Sequence, residues 1–327
     1  MQGRITTSSP LQFEDSSDAF QYLEKPNFKN EMQSDSNQSS PNNKHELEKV
    51  GSSIPTETQT ILQGEPLSDL IISRSEGEKV VLVLASNGEG NQGDIEGLLE
   101  KVIKDRTSYA KRHGYGFFYT NTNRYNAGDM HPTWLKSKAI SEAMTTFPNA
   151  AWFWWLDQDA IIMTPNLSIE AELLNPKILS QKLLSHEKYI RKGLPDSFSP
   201  DVYDLDKVDL ICSQDHNGIN AGSILIRRSS WTDIVLDLWN NPDLKQATGF
   251  GKEQDLIRDL LVRHDTFRNH AGIVQQRLIN AYYEGGDNMK WQEGDLVVHF
   301  AGCWVNKKCG VWWNEMWEIS HPVGSND

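Results

Sequence analysis

Lys79-Val-Val-Leu-Val-Leu-Ala85 is an unbroken apolar run, closed by the turn residues Ser86-Asn-Gly88. No polar position alternates through it. A run of this kind suits a strand buried on both faces, as in a parallel α/β sheet, and not a strand with one wet face. The chain after it keeps to that plan. Residues 94–113 place Ile95, Leu98, Leu99, Val102, Ile103, Arg106 and Tyr109 along one side, which predicts a helix, and Gly114 ends it. Tyr115-Gly-Phe-Phe-Tyr-Thr120 reads as a second strand, 133–147 as a helix stopped by Pro148, and Ala151-Trp-Phe-Trp-Trp-Leu156 as a third strand. Strand, helix, strand, helix, strand predicts an α/β domain with a parallel sheet. Ligands in such sheets bind beyond the carboxyl ends of the strands.

Further on, Val208–Ser213, Ser223–Arg227 and Asp295–Phe300 read as strands, and 229–240 and 252–264 as helices. Residues 1–76 differ in kind. They are rich in Ser, Asn, Gln, Pro and charge, too polar to offset the entropy of ordering, and read as a disordered stem or linker. Within it, Ile61-Leu62 and Leu67–Ile72 could dock on the domain. The expected organisation is a stem over 1–76 and one catalytic domain over 77–327.

The chain of 327 residues is long enough for a sizeable core and carries a formal net charge of -13. An acidic surface disfavours nucleic acid and anionic lipid as partners, while a bound divalent cation can still reverse the field locally for an anionic small ligand. The three cysteines, Cys212, Cys303 and Cys309, exclude a disulfide-rich scaffold. Cys303 and Cys309 could close a small loop or remain two packed thiols. No apolar run approaches the roughly 20 residues of a membrane span.

Two strand ends carry the chemistry. Trp152-Phe-Trp-Trp-Leu-Asp157-Gln158-Asp159 puts two carboxylates one residue apart where a hydrophobic strand stops. Hard divalent ions favour oxygen ligands, and phosphate completes their shell, so this pattern can hold a metal that holds a diphosphate. The plain alternative is two solvated acids in a turn. His299 ends the run from Asp295 and could add an imidazole ligand, or be a structural histidine. Gly88, Gly90 and Gly93 have the spacing of a dinucleotide loop without its later acid, and equally suit an ordinary loop. Asn217–Gly222 reads as a glycine-spaced loop that could present Asn220 to sugar hydroxyls. Glu253, Gln254 and Asp255 stand at a helix start, where acids also simply complement the dipole.

Five segments occur together in one order: Phe147–Ala160, Ser213–Ser223, Glu253–Asp255, Gln276–Asn280 and His299–Cys303. In that order the chain, over about 79–318, resembles glycosyltransferase family 34. The family includes fungal Golgi α-1,2-galactosyltransferases, α-1,6-mannosyltransferase subunits of mannan polymerase, and plant xylosyl- and galactosyltransferases. The resemblance implies a GT-A fold with a Rossmann-like, mostly parallel central sheet flanked by helices. It also implies a Mn²⁺-dependent site, a nucleotide-sugar donor such as a UDP-sugar, a glycan or glycoprotein acceptor, and retention of anomeric configuration. The metal ligands would be Asp157, Asp159 and His299. Lys136 in Trp134-Leu-Lys136 would face the donor phosphates, and Ser86, Asn87 and Gly88 would meet the base. Asn220 and Gly222 would line the sugar pocket, and Gln254, between Glu253 and Asp255, would face the reacting sugar. Gln158 points to the galactosyltransferase branch. Members are usually type II Golgi membrane proteins facing the lumen, and some work in complexes. The alternatives are a GDP-mannose α-1,6-mannosyltransferase and a silent scaffold or carbohydrate-binding subunit, against which the intact Asp157, Asp159 and His299 speak.

Overall fold

The computed structural model describes residues 67–90, 92–126, 128, 131–191, 194–241, 243 and 253–322. Of the stem expected over residues 1–76, residues 1–66, including Ile61-Leu62, lie outside them. Strand β1 is Leu70–Ser73, β2 Val80–Ala85, β3 Gly116–Thr120, β4 Trp152–Leu156 and β5 Ala160–Ile162. The later strands are β6 Leu210–Asp215, β7 Gly218–Arg227, β8 Ala271–Ile273, β9 Ala281–Tyr282 and β10 Val297–His299. The helices used below are α1 Leu98–His113, α2 Leu135–Thr146, α3 Ser230–Asn240, α4 Glu253–Arg263 and α5 Cys309–Ser320.

Seven strands form the main sheet in the order β1-β3-β2-β4-β7-β6-β8. β3, β2 and β4 are mutually parallel, β7 runs against both β4 and β6, and β8 is parallel to β6. The sheet is therefore mostly parallel, with only β7 and the edge strand β1 reversed. The unbroken run in β2 is buried on both faces, as its composition demands. Val80, Leu82 and Leu84 enter one core with Trp154, Leu156 and residues of α1 and α5. Val81 and Val83 enter the other, with Phe153, Trp155 and residues of α2, α3 and α4.

Several element boundaries shift. β1 lies within the stretch assigned to the stem: it pairs antiparallel with β3, Leu70 opposite Thr120. Order thus begins upstream of residue 76, because the short apolar stretch Leu70–Ile72 meets an unpaired sheet edge that would otherwise be exposed. α1 starts at Leu98 and not at residue 94, since Gly97 is left-handed at φ 63°. Gly114, at φ 68°, closes it as expected, and its N–H bonds back to Lys111 O. Of the segment 217–222, expected as a loop, Asn217 lies in the turn and residues 218–222 form the first half of β7, paired with β6.

A second, smaller sheet has the order β5-β10-β9. β10 pairs antiparallel with β5, His299 opposite Ala160, and parallel with β9, His299 opposite Tyr282. It fastens a late strand to the chain immediately after Asp159, and Phe300 N–H extends the ladder to Asp159 O at 2.9 Å. Four residues beyond His299, Cys303 and Cys309 are joined by a disulfide. Gly310 N–H then donates to Asp94 Oδ2 at 2.7 Å, which ties the end of the chain to the glycine-rich loop. Among the described residues, no helix is long and apolar enough to cross a membrane.

Cys212 is the free cysteine, buried in β6, and burial pushes its thiol up to about 12. Thiols react as thiolates. At pH 8 the native protein should therefore resist iodoacetamide at Cys212 and label there once unfolded in guanidinium, as read by mass spectrometry; labelling at equal rates in both states would contradict this packing.

Candidate active site

β4 delivers Asp157 and Asp159 to the carboxyl end of the parallel strands. The turn is held from both sides. Asp157 N–H donates to Gly222 O on β7 at 2.7 Å. Arg106, fully buried on α1 beside its ion-pair partner Asp105, donates through Nη2 to Asp157 O at 3.3 Å and Ala160 O at 2.8 Å. A guanidinium is planar and always charged, so it fixes two carbonyls at a set separation.

The carboxylates are then divided by their partners. Asp157 Oδ1 accepts from Trp155 Nε1 at 2.5 Å and faces Lys136 Nζ at 3.2 Å. Its Oδ2 lies 4.0 Å from His299 Nε2. Asp159 Oδ2 accepts from Gln92 Nε2 at 2.8 Å, while Oδ1 is 3.3 Å from His299 Nε2. One oxygen of each acid is thus occupied and the other faces the imidazole. The ligand atoms of Asp157, Asp159 and His299 all lie within 4.8 Å of one another. Two carboxylate oxygens and one imidazole nitrogen make a donor set suited to Mn²⁺-like ions. Burial acts against a charged His299, but Asp159 and then Asp157 raise its pKa above the ordinary value. Burial likewise opposes a charged Asp159, and His299 holds its pKa below the usual range. These three groups accumulate negative charge that a cation would balance.

Gly222 is required beside them. A Cβ there would lie 2.2 Å from His299 Cε1 and 2.9 Å from Asn220 Oδ1. Glycine is the side chain that lets β7 pass this close to the imidazole.

The expected donor-binding residues divide into those that meet the open site and those that brace it. Ser86 Oγ bonds Gln158 Oε1 and also accepts from Gly88 N–H at 2.9 Å. Gln158 Nε2 donates to Glu89 O at 3.1 Å, so Gln158 fastens the glycine-rich loop over the acidic turn. Asn87 and Gly88 line a cavity of about 330 Å³ with Gln92, Gly93, Tyr119, Asn121 and Leu67. Lys136 does not face outward toward phosphates. It is 4% exposed, and its three donors are taken by Ala221 O at 2.5 Å, Glu253 Oε1 at 2.9 Å and Asp157 Oδ1. Burial disfavours its charge, but Asp157 and then Glu253 raise its pKa. A buried ammonium persists only with such partners. Trp134 is buried beneath the start of α2. Asn220 is 9% exposed, and its amide is spent on protein groups and not offered to a pocket.

At the start of α4, Gln254 Oε1 accepts from Ala221 N–H at 3.3 Å, which keeps it beside Gly222. Asp255 pairs with Arg258 on its own helix. Among the described residues, Glu253 Oε2 is buried without a hydrogen-bond partner, while its Oε1 holds Lys136. Sequence reasoning gave no role to Gln92, Arg106, Asp215, Asn280 or Tyr282. Asn280 lies inside one of the recognised segments, but nothing in the order of residues shows that it meets His299.

A sequence model described as the galactosyl transferase GMA12/MNN10 family matches residues 76–310. The chain is 40% identical over 250 residues to a probable alpha-1,2-galactosyltransferase, gmh1, of Schizosaccharomyces pombe, covering 75% of this chain and 74% of that protein. It is 31% identical over 259 residues to a probable alpha-1,6-mannosyltransferase, MNN10, of Saccharomyces cerevisiae, covering 73% and 64%. Among solved structures it is similar to a glycosyltransferase involved in glycosylation of the major capsid of PBCV-1. That match has a TM-score of 0.50 and 16% identity, and covers 72% of this chain and 98% of that one. The shared fold is that of GT-A glycosyltransferases.

Replacing Gly222 with Ala should displace His299 and, if Asp157, Asp159 and His299 hold a divalent cation such as Mn²⁺, weaken its binding by about tenfold or more, the scale of losses when a ligand's support is disturbed. Titration calorimetry of metal-free protein would measure this, and an unchanged Kd would show that the close approach does not matter.

Proposed function

Because the chain belongs to the galactosyl transferase GMA12/MNN10 family and is a nucleotide-sugar-dependent hexosyltransferase, we propose that it transfers galactose from UDP-galactose to a glycan acceptor in α linkage, with Mn²⁺ as cofactor. One observation carries this reading: Asp157, Asp159 and His299, distant in sequence, bring one free ligand atom each to within 4.8 Å. The relatives named as alpha-1,2-galactosyltransferases support galactose as the sugar.

A divalent cation bound by these three residues would neutralise the diphosphate and stabilise charge on the departing nucleotide. The protein's own groups do the rest. The cavity beside Asn87, Gly88, Tyr119 and Asn121 offers polar and backbone groups for the nucleoside. Gln158 and Gln92 bind that loop to the acidic turn, so base recognition and diphosphate binding share one rigid unit. Lys136 holds Asp157 and Glu253 together without entering the site.

We take the reaction to be retaining. Gln254, fixed on Ala221 N–H, is an amide and a poor nucleophile for a covalent glycosyl intermediate. In this reading the bond from the anomeric carbon to the diphosphate breaks first. The acceptor hydroxyl then attacks the same face, and its proton passes to a departing phosphate oxygen. The compartment we assign is the Golgi lumen, consistent with the disulfide between Cys303 and Cys309, a bond that persists in oxidising surroundings.

A screen of UDP-galactose, UDP-glucose, UDP-xylose and GDP-mannose by released nucleotide tests the donor. UDP-galactose should turn over, stop with a chelator and recover with Mn²⁺; turnover of GDP-mannose alone would reject it. Asp159→Ala should lower the rate by about a thousandfold, the equivalent of several kcal/mol of lost charge stabilisation. A wild-type protein as silent as the variant would favour the scaffold alternative.

A further inference from the structure

His299 can bind a cation through Nε2 only if its other nitrogen carries the proton. That nitrogen, Nδ1, lies 2.8 Å from Asn280 Oδ1. Asn280 Nδ2 in turn donates to Asn220 Oδ1 at 3.0 Å. Asn220 Nδ2 donates to Tyr282 Oη at 2.7 Å and reaches Asp215 Oδ2 at 3.3 Å. Tyr282 Oη donates to the same Asp215 oxygen at 2.5 Å. All five side chains are buried, with Asn280 at 0% exposure.

An amide can be turned over without visible change in shape, so the direction of such a chain must be fixed at a point where no choice exists. Two such points are present. Gly222 N–H, a backbone donor, lies 2.9 Å from Asn220 Oδ1, so that atom must be the oxygen. Asp215, as a carboxylate, only accepts, so the atom of Asn220 facing it must be the NH₂. It follows that Asn280 turns its NH₂ toward Asn220 and its oxygen toward His299. His299 must then carry a proton on Nδ1, which leaves Nε2 as the nitrogen that faces Asp157 and Asp159 and can serve as the ligand once a cation displaces any proton there.

We propose that Asp215 is a positioning residue for the cation site, acting through Tyr282, Asn220 and Asn280 to fix the hydrogen-bond direction that presents His299 Nε2 as a ligand. The proposal rests on the reading that Asp157, Asp159 and His299 hold a divalent cation. Asp215 touches none of these three in the contacts described; its carboxylate anchors the far end. Its Oδ1 accepts from Asn217 N–H at 2.6 Å, and Oδ2 takes Tyr282 and Asn220. Donors converge on both oxygens. An amide at this position would set its NH₂ against a donor in either orientation, and the relay would keep only one of its two fixed points, the Gly222 N–H on Asn220.

The test is Mn²⁺ titration into the metal-free full chain, by calorimetry and by electron paramagnetic resonance of free Mn²⁺. Wild-type, Asp215→Asn and Tyr282→Phe proteins are compared, with thermal midpoints recorded in the absence of metal. For D215N, Kd should rise about tenfold to a hundredfold, with the midpoint moving by less than about 3 °C. The Mn²⁺ concentration for half-maximal turnover should rise in step, while the rate at saturating Mn²⁺ falls far less. Y282F keeps the Asn220 to Asp215 contact and should lose only about threefold to tenfold in affinity; it decides the matter if D215N does not fold. Wild-type protein that binds no Mn²⁺ would overturn the cation site itself. Wild-type protein that binds, with D215N binding equally or a folded Y282F unchanged where D215N fails to fold, would overturn the relay and leave the cation site standing.

Discussion

The three-stranded pairing of β5, β10 and β9 governs the rest of the site. These strands are two or three residues long, and the main sheet would exist without them. Yet they hold His299 against Ala160 on one side and Tyr282 on the other. A one-residue slip in so short a pairing would turn His299 to the opposite face and leave Asp157 and Asp159 without their third partner. The disulfide after His299 and the Gly310 to Asp94 hydrogen bond fasten the same segment from beyond. The precision of the proposed cation seat is therefore built from short-range clamps, laid on a sheet whose stability comes from its two apolar faces.

Charge follows the same logic. Asp157 sits between Lys136, buried below it, and the open side toward His299. Lys136 is in turn shared with Glu253 on α4. A lysine so deeply enclosed is stable only while both acids remain charged, because an unpaired buried charge is strongly unfavourable. The start of α4 and the acidic turn after β4 are thereby coupled through one ammonium group, although they belong to different layers of the domain.

Much of this was legible in the chain. The unbroken run in β2 predicts burial on both faces, and the structure places its alternate residues in two cores. Leu156 followed by Asp157 and Asp159 marks a strand end by composition alone, and the resemblance supplies His299 as their partner. What was not legible depends on contacts between short elements. β9 has two residues and no periodicity, so nothing announces that Tyr282 and Asn280 stand behind His299. Asn220 reads as a residue for sugar because asparagines in glycine-spaced loops are often exposed. Here the glycines instead allow β7 to pack closely, at Gly222 against His299, and Asn220 is enclosed. The resemblance places Lys136 at the donor phosphates, while its partners in the structure come from β4, β7 and α4.

β1 shows where the working unit actually begins. It enters beside the carboxyl end of β3, where Asn121 N–H bonds Asp69 O at 2.7 Å and Asn121 Nδ2 bonds Asp69 Oδ1 at 2.7 Å. Leu67, three residues before the strand, forms part of the wall of the cavity next to Asn87 and Gly88. Polar composition alone would set the frontier at residue 76, past this strand. A polypeptide trimmed to that frontier would bare the flank of β3 and open one side of the cavity proposed for the nucleoside, leaving the acidic turn and its imidazole in place.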